Sequence, residues 1–241
     1  MNRYMSSKKV LSILVGLVLM LQGCSSLESE AIKQEVEGEF MRAEMNEQLF
    51  QAVERGEADT VRNLIRDGVN LNAQDSEGRT GIMIATHNND VETAKILLEA
   101  GADVNIQNDM KDNPFLYAGA EGYLAILKLT IDAGADPTIT NRYGGTALIP
   151  AAEHGYIDVV EVLLTQTKID VNHVNNLGWT ALLEAIILNN GNKSQQEAVQ
   201  LLIEHGADVN IADHDNVTPL QHAREKGFKE IEAILLTAGA D

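Results

Sequence analysis

Cysteine occurs once in this chain, at Cys24, and that scarcity rules out a good deal. Without a second thiol there is no internal disulfide, no cysteine-rich metal site and no redox pair. Aromatic residues amount to 4%, with a single tryptophan, so the core must be made from Ala, Leu, Ile and Val in thin layers rather than from large rings. Basic residues are few, 18 against 36 acidic ones, for a net charge of −18. That sign opposes nucleic-acid binding. It fits either simple solubility or attraction to a basic partner. Six histidines are scattered singly, with no H-x-x-x-H or Cys/His set, so no metal site is expected. No G-x-S-x-G, P-loop or G-x-G-x-x-G stretch is present, which leaves no catalytic constellation and no cofactor to predict.

What the chain does have is repetition. The stretch from Gly144 to Asn172 reads as a capped helix from Ala147 to Glu153, a break at His154-Gly155, and a second apolar helix from Tyr156 to Leu164. Thr146 is the expected N-cap, its hydroxyl accepting from a free helix N–H. The cap position recurs as Thr80, Asn113, Thr146, Thr180 and Thr218, at steps of 33, 33, 34 and 38 residues. A helix-ending glycine recurs at Gly68, Gly101, Gly134, Gly206 and Gly239. Pro114 and Pro219 stand at the first helical position, where the missing N–H has no partner to lose. Two helices this short cannot bury each other's apolar faces, so the unit is stable only when stacked on copies of itself.

The pattern G-x-T-x-L-x-x-A-x-x-x-G followed by V-x-x-L-L-x-x-G-A-D-V-N resembles the ankyrin repeat. The resemblance covers residues 45–241, as six units starting near 45, 76, 109, 142, 176 and 215. It implies an all-α solenoid of helix-turn-helix units joined by β-hairpin fingers, and a surface that binds another protein. The first unit lacks the cap and finger and the last turns polar, so both read as end caps of a complete array. Two departures stand out. The histidine that the family carries in its first helix is replaced by Phe50, Met83, Leu116, Ile149, Leu183 and Gln221, so apolar packing is expected to hold neighbouring units together. The fifth unit carries an insertion, Asn190-Gly191-Asn192-Lys193-Ser194, read either as a tolerated surface loop or as a contact loop.

Ahead of the array, Arg3, Lys8 and Lys9 precede an apolar run of 12 residues, Val10 to Leu21. That is short of the roughly 20 residues that span a bilayer, and it reads as an export signal over residues 1–23. Leu21-Gln22-Gly23-Cys24 resembles the bacterial lipobox, with Gln22 departing from the usual small or aliphatic residue. The resemblance implies that Cys24 is diacylated and anchors an extracytoplasmic protein to a membrane, on the periplasmic side of an outer membrane or the outer face of a single one. Residues 24–44 then form a partly helical tether, with Ile32, Val36 and Phe40 as one apolar stripe docking on the first unit or on a partner helix.

The ankyrin resemblance places ligands on the finger tips and on the exposed residues closing the first helix. Met110, Tyr143 and Leu177 share one column on three successive fingers. Trp179, Ile187 and Leu188 join them in the fifth unit, with Arg142, Glu153, His154 and Asn176 as a polar rim. Such a patch has the make-up of a protein-interface hot spot. The alternative is that Ile187 and Leu188 pack under the insertion while Trp179 folds on its own finger. The expectation is a membrane-anchored, non-enzymatic adaptor for an envelope protein, the alternatives being an inhibitor or immunity protein and a purely structural component.

Overall fold

The computed structural model describes residues 26–241, and their side chains from residue 30 onward. The export signal and the acylation of Cys24 fall outside those residues. The described residues form six helical pairs: α1 (Ser26–Glu54) with α2 (Ala58–Arg66), α3 (Gly81–His87) with α4 (Val91–Glu99), and α5 (Pro114–Glu121) with α6 (Leu124–Asp132). The series continues with α7 (Leu148–His154) and α8 (Ile157–Gln166), α9 (Ala181–Ile187) and α10 (Lys193–Glu204), then α11 (Pro219–Lys226) and α12 (Lys229–Thr237). Each first helix packs on the first helix of the next unit, and each second helix on the next second helix. The result is a layered solenoid with one continuous core along its length.

Local signals explain most helix boundaries. Thr80, Asn113, Thr180 and Thr218 each accept a hydrogen bond from the backbone N–H three residues on. The five helix-ending glycines all lie in the left-handed region, as their register predicts. Thr146 is the exception and corrects the expectation. Its hydroxyl is buried with no partner, and α7 starts only at Leu148. The cause is Pro150, four residues after the cap. In the other capped units the residue there donates to the cap carbonyl, as Ile84 does to Thr80 and Glu184 to Thr180, both at 3.0 Å. Proline has no N–H to give and its ring crowds that carbonyl. The turn tightens instead, with the Ile149 N–H on the Thr146 carbonyl at 3.3 Å, and so is lost to the Thr146 hydroxyl.

The fingers are hairpin turns, and among the described residues none is long enough to form a strand. Each begins with Asp75, Asn108, Asn141, Asn175 or Asp213, whose side chain accepts two N–H bonds from its own turn. Successive fingers stack closely. A Cβ on Gly144 (φ +71°) would lie 2.5 Å from the Asn176 side chain, so glycine suits this tip, whereas Lys111 and Asn216 hold the same left-handed turn in the third and sixth units.

The tether differs from expectation. It is helical from Ser26 and runs without a break into the first unit, because no cap, finger or proline interrupts it. Its apolar stripe does not enter the core: Ile32 is exposed, Val36 and Phe40 are half-buried but outside the core, and the helix begins to join the core at Met45, followed by Leu49 and Phe50.

Cohesion between units is both apolar and polar. Met83, Leu116, Ile149 and Leu183, in the position where the family carries histidine, are buried as expected. Beside them runs a ladder of amides that was not expected. Asn72, Asn105 and Asn172 accept from the backbone N–H of Asp103, Asp136 and Asp208 in the following unit at 2.8–2.9 Å. Gln74 and Gln107 donate to the Gln107 and Thr140 carbonyls. The rung between the third and fourth units is absent, because Thr138 stands in the Asn position and bonds its own Asp136.

The insertion is structural in its contacts. Asn192 caps α10, Gln196 donates to the Gly191 carbonyl, and Gly191 sits directly against the Phe228 ring of the sixth unit. Lys193 and Ser194 lengthen α10 backwards, so that it also touches α7.

Candidate functional site

The finger face carries the apolar column in the open. Met110, Tyr143 and Leu177 are 49%, 53% and 51% exposed, and Leu188 is 49% exposed. Trp179 and Ile187 are only half-exposed, so the two fifth-unit residues contribute edges rather than whole side chains. On the rim, the Arg142 guanidinium lies 4.7 Å from the centre of the Tyr143 ring. The Asn176 N–H donates to the Tyr143 carbonyl at 2.9 Å and ties the fourth finger to the fifth. His154 is exposed beside Tyr156, while Glu153 is half-buried. The Glu153 carbonyl accepts from Asn189 and Gln195 of the fifth unit, at 2.7 and 3.3 Å.

A cleft of about 370 Å³ opens one unit closer to the N-terminus, between the third and fourth units. Met110, Arg142 and Tyr143 of the predicted patch line it; Glu153, His154, Asn176, Leu177, Trp179, Ile187 and Leu188 do not. Its other walls include His87, Asp112, Leu116, Tyr117, Ala120, Glu121 and Pro150. Register explains why it is there. The residue after the left-handed tip position of each finger (Gly78, Lys111 or Gly144 in the units concerned) is in register with the first-helix end of the preceding unit. In the second unit this residue is Arg79, which pairs with Glu54 at 3.4 Å. In the third it is Asp112, whose charge and that of His87 act on each other. In the fourth it is Gly145, which has no side chain to reach Ala120, the corresponding first-helix residue and a wall of the cleft. The apolar column alone did not disclose this; the coincidence of Gly145 with Ala120 was the signal that could have.

The cleft holds groups in unusual states. Burial pushes the Asp112 carboxyl above its ordinary range, with Arg142 and His87 opposing. Among the described residues no cation lies within ion-pair distance of Asp112. Burial, then the charge on Arg79, holds His87 below its ordinary value and so favours the neutral ring. Burial and the charge on Glu121 raise the Tyr117 phenol, which stacks 4.3 Å from the His87 ring.

Further along, Glu184 is buried beneath the same face, accepting from Asn175 Nδ2 at 2.7 Å. Burial, then repulsion from Glu153, pushes its carboxyl to about 7. His222 Nε2 meets Asp213 Oδ2 at 2.7 Å in the equivalent place one unit on. Among the described residues no group of three or more His, Cys, Asp or Glu side chains is arranged to hold a metal, and no helix is long and apolar enough to cross a membrane.

Comparison with known proteins agrees with this geometry. The sequence matches the family described as ankyrin repeats (3 copies) over residues 29–108, 49–141, 115–213 and 173–241. The putative ankyrin repeat protein YahD of Escherichia coli K12 is 54% identical over 82 residues, 34% of this chain and 41% of that protein. Mouse protein phosphatase 1 regulatory subunit 27 is 34% identical over 74 residues, 31% of this chain and 45% of that one. The chain thus spans less than half the length of these relatives. The crystal structure of an ankyrin repeat domain from Acinetobacter baumannii AYE superposes with a TM-score of 0.78 at 51% identity, over 80% of this chain and 98% of that one. By its repeat register, its stacked helical pairs and these matches, the chain belongs to the ankyrin-repeat family.

Proposed function

We propose that this protein holds a partner protein on its finger face while diacylated Cys24 keeps it at a membrane of the cell envelope, so that it acts as an adaptor. The observation that carries the reading is the row of exposed apolar side chains, Met110, Tyr143 and Leu177, on three consecutive fingers, with Leu188 beside them. A soluble surface rarely leaves large apolar groups aligned unless something covers them. The face is preformed: each finger is pinned by its Asx side chain and stacked on its neighbour, so little conformational freedom is lost on docking. A related protein points the same way, since the name of the mouse relative describes a regulatory subunit of a protein phosphatase. The lipobox-like Leu21-Gln22-Gly23-Cys24 supports the anchor, because more than one acyl chain on a residue holds far more firmly than a single reversible one.

The test is crosslinking and capture from native membranes, comparing the unaltered protein with a Trp179→Ala, Leu177→Ala double variant. A specific partner recovered by the first and lost by the second is the expected result. Equal recovery by both refutes the patch. Mass spectrometry of the N-terminal peptide settles the anchor, for which an unmodified Cys24 in membrane-extracted protein is the contrary outcome.

A further inference from the structure

We infer that the cleft between the third and fourth units is the seat for a basic side chain, an arginine or lysine, of the partner protein. The inference rests on the reading of the finger face as a protein-binding surface, and specifies the chemistry of what that surface takes. Three observations carry it.

First, the fold does not require the cleft to be empty. Gly145 is outside the left-handed region, and a Cβ built on it meets nothing closer than 3.5 Å. The equivalent positions in the second and fifth units carry Arg79 and Trp179. Neither backbone strain nor a clash at Cβ therefore explains glycine there, and in the register of Arg79 a side chain at 145 would reach Ala120, a wall of the cleft.

Second, among the described residues the carboxylates of the cleft have no ion-pair partner, although the charge of Arg142 is felt at Asp112. Asp112 from the third finger and Glu121 from the end of α5 are the anionic walls, and both raise the pKa of the Tyr117 phenol between them. His87, from the end of α3, favours its neutral form. Arg142 is the cationic group in the lining, and it lies over the Tyr143 ring rather than within ion-pair distance of Asp112. A half-buried carboxylate without a counterion gains most from a cation brought in by a ligand.

Third, the walls suit the stem of such a side chain as well as its head. Leu116 and Pro150 flank aliphatic carbons, and the ring edges of Tyr117 and Tyr143 add further apolar wall. The chain's net charge of −18 draws a basic surface toward it.

The experiment selects a phage-displayed random peptide library on the full chain in mild detergent. Selected peptides are then measured against Asp112→Asn, Gly145→Trp and Leu177→Ala variants that keep the unaltered helical circular dichroism and melting. The expected result is a shared Arg or Lys in the selected peptides, with affinity falling roughly tenfold or more in both Asp112→Asn and Gly145→Trp. Peptides whose shared anchor is apolar or acidic, or whose basic residue is indifferent to Asp112→Asn, overturn the inference. If binding is lost in Leu177→Ala but survives Gly145→Trp, the finger-face reading stands and the cleft does not. If no peptide is retained, the inference falls, and the membrane capture experiment decides the finger-face reading separately.

Discussion

Replacing Glu184 by Gln is the sharpest test of the electrostatics at the junction of the fourth and fifth units. Glu184 is 7% exposed, accepts from Asn175 Nδ2 at 2.7 Å, and lies near the negative Glu153. Burial and that neighbour shift it from the ordinary 4.5 to about 7. At about 1.4 kcal/mol per pH unit, holding the ionised form in the fold costs about 3 kcal/mol. The direction follows from proton binding. Below pH 4.5 the side chain is protonated in the folded and unfolded chain alike, and stability is at its full value. As the pH rises the unfolded chain gives up this proton first, so the folded state loses stability steadily until Glu184 itself ionises near 7, and the loss is complete above that. Gln keeps an oxygen for Asn175 and never ionises. The variant is therefore expected to gain about 3 kcal/mol over the unaltered protein at pH 8 and nothing of the kind at pH 4.5. Urea unfolding from pH 4.5 to 8 measures the difference. Because a long repeat array can unfold in stages, carboxyl-carbon NMR of Glu184 is read beside it. A difference that does not vary with pH, together with ordinary titration of Glu184, refutes the reasoning.

Two further substitutions probe features that the repeat pattern alone does not disclose. Pro150→Ala returns an N–H to the Thr146 carbonyl and frees the Ile149 N–H for the Thr146 hydroxyl, so it is expected to stabilise the array by about 1–3 kcal/mol, read as a raised thermal midpoint. A lowered midpoint would mean that the tightened turn is not strained. Asn172→Ala removes both the bond accepted from Asp208 and the one donated to the Gly206 carbonyl, a rung joining the fourth and fifth units. A loss of about 1 kcal/mol in denaturant unfolding is expected, and faster amide exchange at Asp208 should report the same break.

Much of this protein is decided by residues within a few positions of one another, and those parts are readable from the chain itself. A Thr or Asn at the cap and a glycine at the helix end act over three or four residues. Thr80, Asn113, Thr180 and Thr218 accordingly cap as predicted, and the five helix-ending glycines turn as predicted. The ankyrin resemblance, carried across by register, likewise put Met83, Leu116, Ile149 and Leu183 inside and Met110, Tyr143 and Leu177 outside. Even the failure at Thr146 was written in the sequence, because the proline that spoils the cap is only four residues away.

The tertiary structure decided whatever depends on residues a whole repeat apart. Ala120, a wall of the cleft, receives no side chain from the position in register with it on the next finger, Gly145, 25 positions later. The amide rungs exist because Asn72, Asn105 and Asn172 meet backbone from the following unit, and among the described residues Asp112 has no ion-pair partner while Arg142 lies over Tyr143. Glu184 holds its proton to about 7 because stacking buries it and brings Glu153 near. Desolvation and Coulomb forces act through space, and in a stacked array the nearest neighbour in space is about one repeat away along the chain.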